Sequence, residues 1–140
     1  MKVIVVGIGN DLRGDDAIGP EFVRRIKGVD KLVSNFPDLS IAEKIKDYDI
    51  VFFVDASIDV DKFELVQINI PKLSTFSHNL SIENIFHISK LMYNKSLRGY
   101  ILKIGGYNFG YTHGLSKCAE ENVELATRFF YDFLKSNLNR

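Results

Sequence analysis

Two short, unbroken apolar runs constrain the fold of this chain most strongly. Val3–Val6 reads "VIVV" and Ile50–Val54 reads "IVFFV", with no polar residue in either run. A strand with one wet face alternates apolar and polar residues, whereas a strand buried on both faces is continuously apolar. Both runs are therefore predicted to be central strands of a mostly parallel sheet with helices on both of its faces.

The segments around these runs alternate between strand and helix patterns, as an α/β fold requires. A helix is predicted to start at Ala17–Gly19 and to end at Gly28, and Ser40 with Glu43 has the spacing of a capping box. The other predicted elements are strands at Lys31–Phe36, Phe63–Ile70 and Tyr100–Ile104, a helix capped by Ser81 and ending near Tyr93, and a helix from Ser116 to Leu134.

Composition limits the class of protein and of partner. The 140 residues suit one domain spanning residues 1–140, and 46% of them are hydrophobic. Because 18 Lys and Arg balance 18 Asp and Glu, no basic field exists to attract nucleic acid or an acidic membrane. The apolar run at the N-terminus is too short for a signal peptide. We therefore expect a cytoplasmic protein with neither a nucleic-acid nor a membrane partner.

A glycine-rich segment, "GIGNDLRGDDAIGP", follows the first strand at Gly7–Pro20 and holds the carboxylates Asp11, Asp15 and Asp16. Its glycines are spaced G-x-G-x-x-x-x-G, which differs from the dinucleotide-binding pattern G-x-G-x-x-G, and no P-loop lysine follows. Three carboxylates would also repel a pyrophosphate at short range. These features argue against nucleotide binding by this segment.

Further candidate ligands follow at other strand and helix ends. Asp55 ends the second apolar run, and His78 lies in "FSHNLS" just before a predicted helix. One of the pair Asp15 and Asp16 could simply cap a helix, but a single cap leaves the other acid free. Ligands of open α/β sheets collect at the carboxyl ends of the strands. Two carboxylates and one imidazole there would form an incomplete metal site open to nickel, zinc or iron.

The remaining reactive side chains give weaker indications. His87 is expected on the surface or in the core of a helix, and His113 in a loop, where a substrate contact is one reading. Cys118 is predicted to be buried on the apolar face of the last helix. The sequence contains no G-x-S-x-G elbow, which argues against a serine hydrolase.

The order of these motifs resembles that of the hydrogenase maturation endopeptidases. That family begins with a strand and then G-x-G-N-x-L-x-x-D-(D/E)-x-x-G, which this chain matches with "GIGNDLRGDDAIG". An apolar strand ending in "DA" is matched by "VFFVDA", and a histidine in a short loop before a helix by "SHNLS". A "GLS" turn before the last helix is matched by "HGLS". The resemblance covers nearly the whole chain.

The resemblance implies a twisted sheet between helices, of the phosphorylase/hydrolase-like type, and an aspartic-type endopeptidase activity. The implied partner and substrate is the nickel-loaded large-subunit precursor of a NiFe hydrogenase, which loses a C-terminal extension. The implied catalytic and metal-binding residues are Asp16, Asp55 and His78, with Asp15 as a capping or supporting acid. Asn10 would either stabilise its turn or donate to an oxyanion. We expect no cofactor of the protein's own, because the substrate supplies the nickel.

Two other functions stay open at this point. The chain could be a non-catalytic accessory module of the same fold that binds a metal or a nucleotide. It could also be a general peptidase, although the sequence shows no self-contained catalytic apparatus. Cleavage of a peptide bond separates the endopeptidase from the accessory module.

Overall fold

A computed structural model describes residues 1–69 and 80–138. The described elements are β1 (Val3–Ile8), α1 (Ile18–Arg25), β2 (Asp30–Ser34), α2 (Ser40–Lys44), β3 (Ile50–Ser57), β4 (Phe63–Ile68), α3 (Ile82–Met92), β5 (Arg98–Gly105) and α4 (Lys117–Asn137), with one 3-10 turn at Gly14–Ala17 before α1. Within these residues, no helix is both long and apolar enough to cross a membrane.

The five strands form one open sheet in the order β2-β1-β3-β5-β4. The first four strands in this order are parallel, and β4 pairs with β5 in the antiparallel sense at the edge. Gly7 of β1 is in register with Val54 of β3, which brings the carboxyl ends of the two strands side by side. The predicted α/β fold with a mostly parallel sheet is confirmed.

The two apolar runs lie in the centre of the sheet and supply both of its cores. Val5 and Phe52 belong to the cluster on the face covered by α1 and α4, whereas Val6 and Phe53 belong to the cluster on the face covered by α2 and α3. All four side chains are fully buried. Alternation of successive side chains between the two faces explains why these strands contain no polar residue.

Three local predictions were wrong in detail. The N-cap of α2 is Leu39, without a side-chain cap hydrogen bond, so Ser40 and Glu43 do not form a capping box. Instead the Asp38 carboxylate accepts a hydrogen bond of 3.2 Å from the Ser40 amide. Helix α1 ends at Arg25, before the left-handed Gly28 (φ +86°). Strand β3 continues past Val54 to Ser57, so Asp55 lies inside the strand.

The strand order creates a crevice between β1 and β3. From β1 the chain crosses to β2 on one side, whereas β3 leads on to β5 and β4 on the other side. This reversal is the topological switch point at which α/β sheets commonly bind ligands. The segment from Gly9 to Ala17 and the Asp55 side chain both lie at this end of the sheet.

Candidate active site

The segment after β1 is folded tightly over the end of the sheet. The Gly9 amide donates a hydrogen bond of 3.0 Å to the Ser34 carbonyl oxygen. Gly9 has a φ of +154°, and a Cβ there would collide with the Asp16 carbonyl oxygen. The Asn10 carboxamide oxygen accepts a hydrogen bond of 2.9 Å from the Leu12 amide. Asn10 therefore stabilises the turn, one of its two expected roles.

Glycines also allow the start of α1 to approach the strand ends. A Cβ on Gly19 would lie 2.5 Å from the carbonyl oxygens of both Ile8 and Val54. A Cβ on Gly7 would lie 2.5 Å from the carbonyl oxygen of Gly19. Only a residue without a side chain fits at either position, and this close packing brings the turn that carries Asp16 to the ends of β1 and β3.

The adjacent acids Asp15 and Asp16 have different environments. Asp15 is fully buried and Asp16 is half-buried. One carboxylate oxygen of Asp16, Oδ2, accepts a hydrogen bond of 2.9 Å from the Asn10 amide. The first helical elements after β1 have no side-chain cap hydrogen bond, so neither acid caps them as expected. The prediction that one of these acids caps the helix was wrong. Asp15 is instead bound by another loop of the protein.

The Asp15 carboxylate is held by the loop between β5 and α4. It accepts hydrogen bonds from the amides of Tyr107 (2.8 Å), Asn108 (2.9 Å) and Ser116 (2.7 Å), and from the Ser116 hydroxyl (2.8 Å). Burial by itself raises the pKa of Asp15, but these four hydrogen bonds outweigh it and leave the pKa below its usual value. Asp15 is therefore a buried carboxylate anion.

Asp55 has the opposite electrostatic environment. The pKa of its carboxyl is raised to about 6, mainly by burial and also by the negative charge of Asp16, while a hydrogen bond from the Ala56 amide opposes the shift. Glu83 in the first turn of α3 adds to the rise, and Lys103 lowers it. Asp16 and Asp55 thus repel each other at one end of the sheet.

Such a pair of carboxylates favours a bound cation. A divalent metal ion would neutralise the repulsion, and nickel, zinc and iron accept carboxylate oxygens when an imidazole completes the set. Within residues 1–69 and 80–138, no group of three or more His, Cys, Asp and Glu side chains could hold a metal ion. The described residues by themselves therefore hold no complete metal site.

Comparisons with known proteins bear on this arrangement. No protein-family model and no curated protein matches the sequence, but solved structures match the fold. The NiFe hydrogenase maturation protease HycI from Thermococcus kodakarensis has a TM-score of 0.74 at 24% identity, covering 96% of this chain and 92% of that one. The hydrogenase maturating endopeptidase HybD from E. coli has a TM-score of 0.77 at 16% identity, covering 99% and 94%. The chain has the fold of the hydrogenase maturation endopeptidases.

In this maturation-endopeptidase fold, two of the three predicted site residues come together. Asp16 lies in the 3-10 turn after β1, and Asp55 lies in the last part of β3, near enough for the charge of Asp16 to raise its pKa. His78 lies outside the described residues, so its part in the site stays a prediction. It precedes Ser81 by three residues, and the Ser81 hydroxyl caps α3 by accepting a hydrogen bond of 3.1 Å from the Asn84 amide. The predicted cap of α3 is confirmed.

The other reactive side chains differ in their exposure to solvent. His113 is exposed in the β5–α4 loop. His87 is half-buried in α3, where burial lowers its pKa. Cys118 is exposed, so its predicted burial was wrong. The apolar stripe of α4 runs instead through Ala119 and Val123, which are fully buried.

Sequence reasoning did not find the partners of Asp15. Ser116 belongs to the "GLS" turn and was predicted only as a helix start, yet it donates two hydrogen bonds to Asp15 and also caps α4. Tyr107 and Asn108 carried no signal of this contact, because both donate through backbone amides.

Proposed function

We propose that this protein is an endopeptidase that removes the C-terminal extension from the nickel-loaded large-subunit precursor of a NiFe hydrogenase. The observation that carries the proposal is the convergence of Asp16 and Asp55 at the switch point of a fold shared with hydrogenase maturation proteases. Asp16, Asp55 and His78 would bind the nickel that the precursor already holds, so the endopeptidase needs no cofactor of its own.

The electrostatics of the two carboxylates suit this role. In free protein they repel each other, and no described Lys or Arg side chain forms a salt bridge with Asp16 or Asp55. A cation that arrives with the substrate would relieve the repulsion. Because the free site is incomplete, it would bind metal weakly by itself and more strongly when the substrate adds its own ligands and interface. Cleavage would therefore depend on prior insertion of nickel.

We propose separate roles for the metal and for a carboxylate in peptide-bond cleavage. The substrate's nickel would polarise the scissile carbonyl, as a Lewis acid does. Asp55 could take a proton from the attacking water through a carboxylate oxygen that does not bind the metal. Asp16, fixed by the Asn10 amide, would act as a metal ligand.

The surface around the carboxylates favours a protein substrate over a small molecule. Each of four loops at this end of the sheet exposes a large apolar side chain, with exposures between 58% and 85%. These side chains are Leu12, Phe36, Ile58 and Tyr111. Exposed apolar side chains on all four loops would let a protein surface dock around the two acids.

Mass spectrometry of the precursor tests the proposal. A candidate large-subunit precursor, with and without nickel, is incubated with this protein, and the mass of its C-terminal region is followed. We expect loss of one C-terminal peptide only from the nickel-loaded precursor. Absence of cleavage with nickel demonstrably loaded would instead favour the non-catalytic accessory module.

Variants of the site add a second level to this test. Asp16→Asn, Asp55→Asn and His78→Ala are each expected to abolish cleavage while the protein stays folded. Asp11→Asn is the matched control, because Asp11 lies in the same loop but pairs with Arg24 at 2.6 Å on the exposed side. Normal tail removal by the Asp16 or His78 variant would refute the ligand assignment.

A further inference from the structure

Asp15 is a buried charged group that the proposed chemistry does not use. Its side chain has no solvent exposure, and its carboxylate accepts hydrogen bonds from the three amides and the hydroxyl described above. Oδ2 takes three of these bonds, and Oδ1 takes the bond from the Ser116 amide. A buried carboxylate without a paired cation is costly unless hydrogen bonds of this kind satisfy it.

The backbone beside Asp15 is attached to the same loop. The Gly14 amide donates to the Thr112 carbonyl oxygen at 2.9 Å, and the Asp15 amide donates to the Asn108 carbonyl oxygen at 2.7 Å. The contact is close, because a Cβ on Gly14 would lie 2.5 Å from the Asn108 carbonyl oxygen. Six hydrogen bonds therefore join the 3-10 turn to the β5–α4 loop and the start of α4.

Asp16 is the next residue of that turn. In a 3-10 helix, with three residues per turn, successive side chains point about 120° apart. The direction in which Asp15 is buried therefore sets the direction in which Asp16 points. Among the described residues, the Asp16 side chain makes one hydrogen bond, which Oδ2 accepts from the Asn10 amide.

We propose that Asp15 is a positioning residue, whose hydrogen bonds to Tyr107, Asn108 and Ser116 fix the rotation of the turn and hold the Asp16 carboxylate towards Asp55. The catalytic consequence rests on the proposed function, whereas the geometric consequence does not. An amide at position 15 cannot accept all four hydrogen bonds, because its NH₂ group would face an N–H or O–H donor. Asp15→Asn is therefore expected to release the turn and to misplace Asp16.

Hydrogen exchange of the Asn10 amide tests the geometry without any substrate. Asp16→Ala gives the exchange rate and the NMR chemical shift of this amide when its acceptor is lost. We expect Asp15→Asn, under conditions where it is folded, to move the amide shift towards that reference and to speed exchange at least tenfold. Asn94→Ala is the matched control, since Asn94 donates to the carbonyl oxygens of Lys46 and Tyr48 at the opposite end of the sheet. It should leave the Asn10 amide unchanged.

Several outcomes would overturn the inference. A folded Asp15→Asn variant with a wild-type Asn10 amide shift and exchange rate would show that Asp15 does not position Asp16. If this variant does not fold, Ser116→Ala removes only the hydroxyl contact with Asp15 and the cap of α4. That variant should speed Asn10 exchange severalfold, and an unchanged rate would contradict the proposal equally.

Cleavage of the nickel-loaded precursor gives the second readout. Asp15→Asn is expected to lower kcat at least tenfold, and Asn94→Ala to retain wild-type kcat. Unchanged kcat with a released Asn10 amide would refute the catalytic part of the inference. If wild-type protein does not cleave the precursor at all, the proposed function fails, whereas the exchange experiment still decides whether Asp15 positions Asp16.

Discussion

Replacing Asp55 by asparagine is expected to stabilise the fold at neutral pH while it removes a carboxylate from the proposed active site. The change keeps the shape of the side chain and an oxygen that can accept the hydrogen bond from the Ala56 amide. It removes a charge that burial and the neighbouring Asp16 both disfavour. A site built for a cation is thus predicted to cost stability as long as the cation is absent.

The size of the effect follows from the pKa of Asp55. Folding raises this pKa from 3.8 to about 6, a difference of about two pH units, and each unit corresponds to about 1.4 kcal/mol. Between these values the folded state binds more protons than the unfolded state, so the wild-type free energy of unfolding falls as pH rises through this interval. The loss of unfolding free energy caused by the ionised Asp55 carboxylate reaches its full value, about 3 kcal/mol at most, above pH 7.

Urea denaturation of wild type and Asp55→Asn from pH 4 to pH 8 measures this effect. The variant should become more stable than wild type by a further ~1 to 3 kcal/mol between pH 4 and pH 8. Each unit by which folding raises the pKa of Asp55 contributes about 1.4 kcal/mol to this difference. Asp59→Asn, in the exposed loop after β3, is the control for removing a carboxylate. A difference between Asp55→Asn and wild type that is the same at pH 4.5 and pH 8 would refute the electrostatic reasoning.

Three further substitutions test the packing and the docking surface. Gly19→Ala should lower the free energy of unfolding in urea by about 3 kcal/mol or more, because its Cβ would overlap two carbonyl oxygens. Gly28→Ala has open space around its Cβ and should cost only the roughly 1 kcal/mol of its left-handed backbone. Equal losses in the two variants would contradict the close-packing argument. Phe130→Ala should lower the free energy of unfolding by about 3–5 kcal/mol, because the Phe130 ring packs edge-on against Phe22 and Phe52 at centroid distances of 5.5 and 5.1 Å. A loss below about 1 kcal/mol in thermal or urea unfolding would be inconsistent with a buried ring. Ile58→Ser should change the free energy of unfolding by less than about 0.5 kcal/mol, since the side chain is 77% exposed. The same variant should raise KM for the precursor, and an unchanged KM would show that Ile58 does not belong to the docking surface.

The central part of the fold could be predicted from the sequence for a simple reason. An unbroken apolar run has no polar side for solvent, so it must be covered on both faces, and this requirement places β1 and β3 inside a layered sheet. Phe63–Ile70 was predicted as a strand, and β4 (Phe63–Ile68) is a strand at the edge of the sheet. Its antiparallel direction was not predicted, because the alternation of side chains is the same in both directions.

Local motifs were less reliable where a tertiary contact competed with them. Ser40 and Glu43 have the spacing of a capping box, but the Asp38 side chain and the preceding turn bind the first amides of α2 instead. Cys118 lies next to buried Ala119 in sequence, yet the rotation of α4 leaves the thiol exposed. In both cases the sequence pattern was compatible with two local arrangements, and tertiary contacts selected between them.

The sequence by itself determined which residue types meet at the end of the sheet, because the carboxyl ends of parallel neighbours lie at one edge whatever their side chains. Only the tertiary structure decided how the adjacent acids differ. Asp15 and Asp16 are chemically identical neighbours, and their roles separate because backbone amides more than ninety residues later hold one of them in the core. Burial and a neighbouring charge, which no linear motif records, likewise raise the pKa of Asp55.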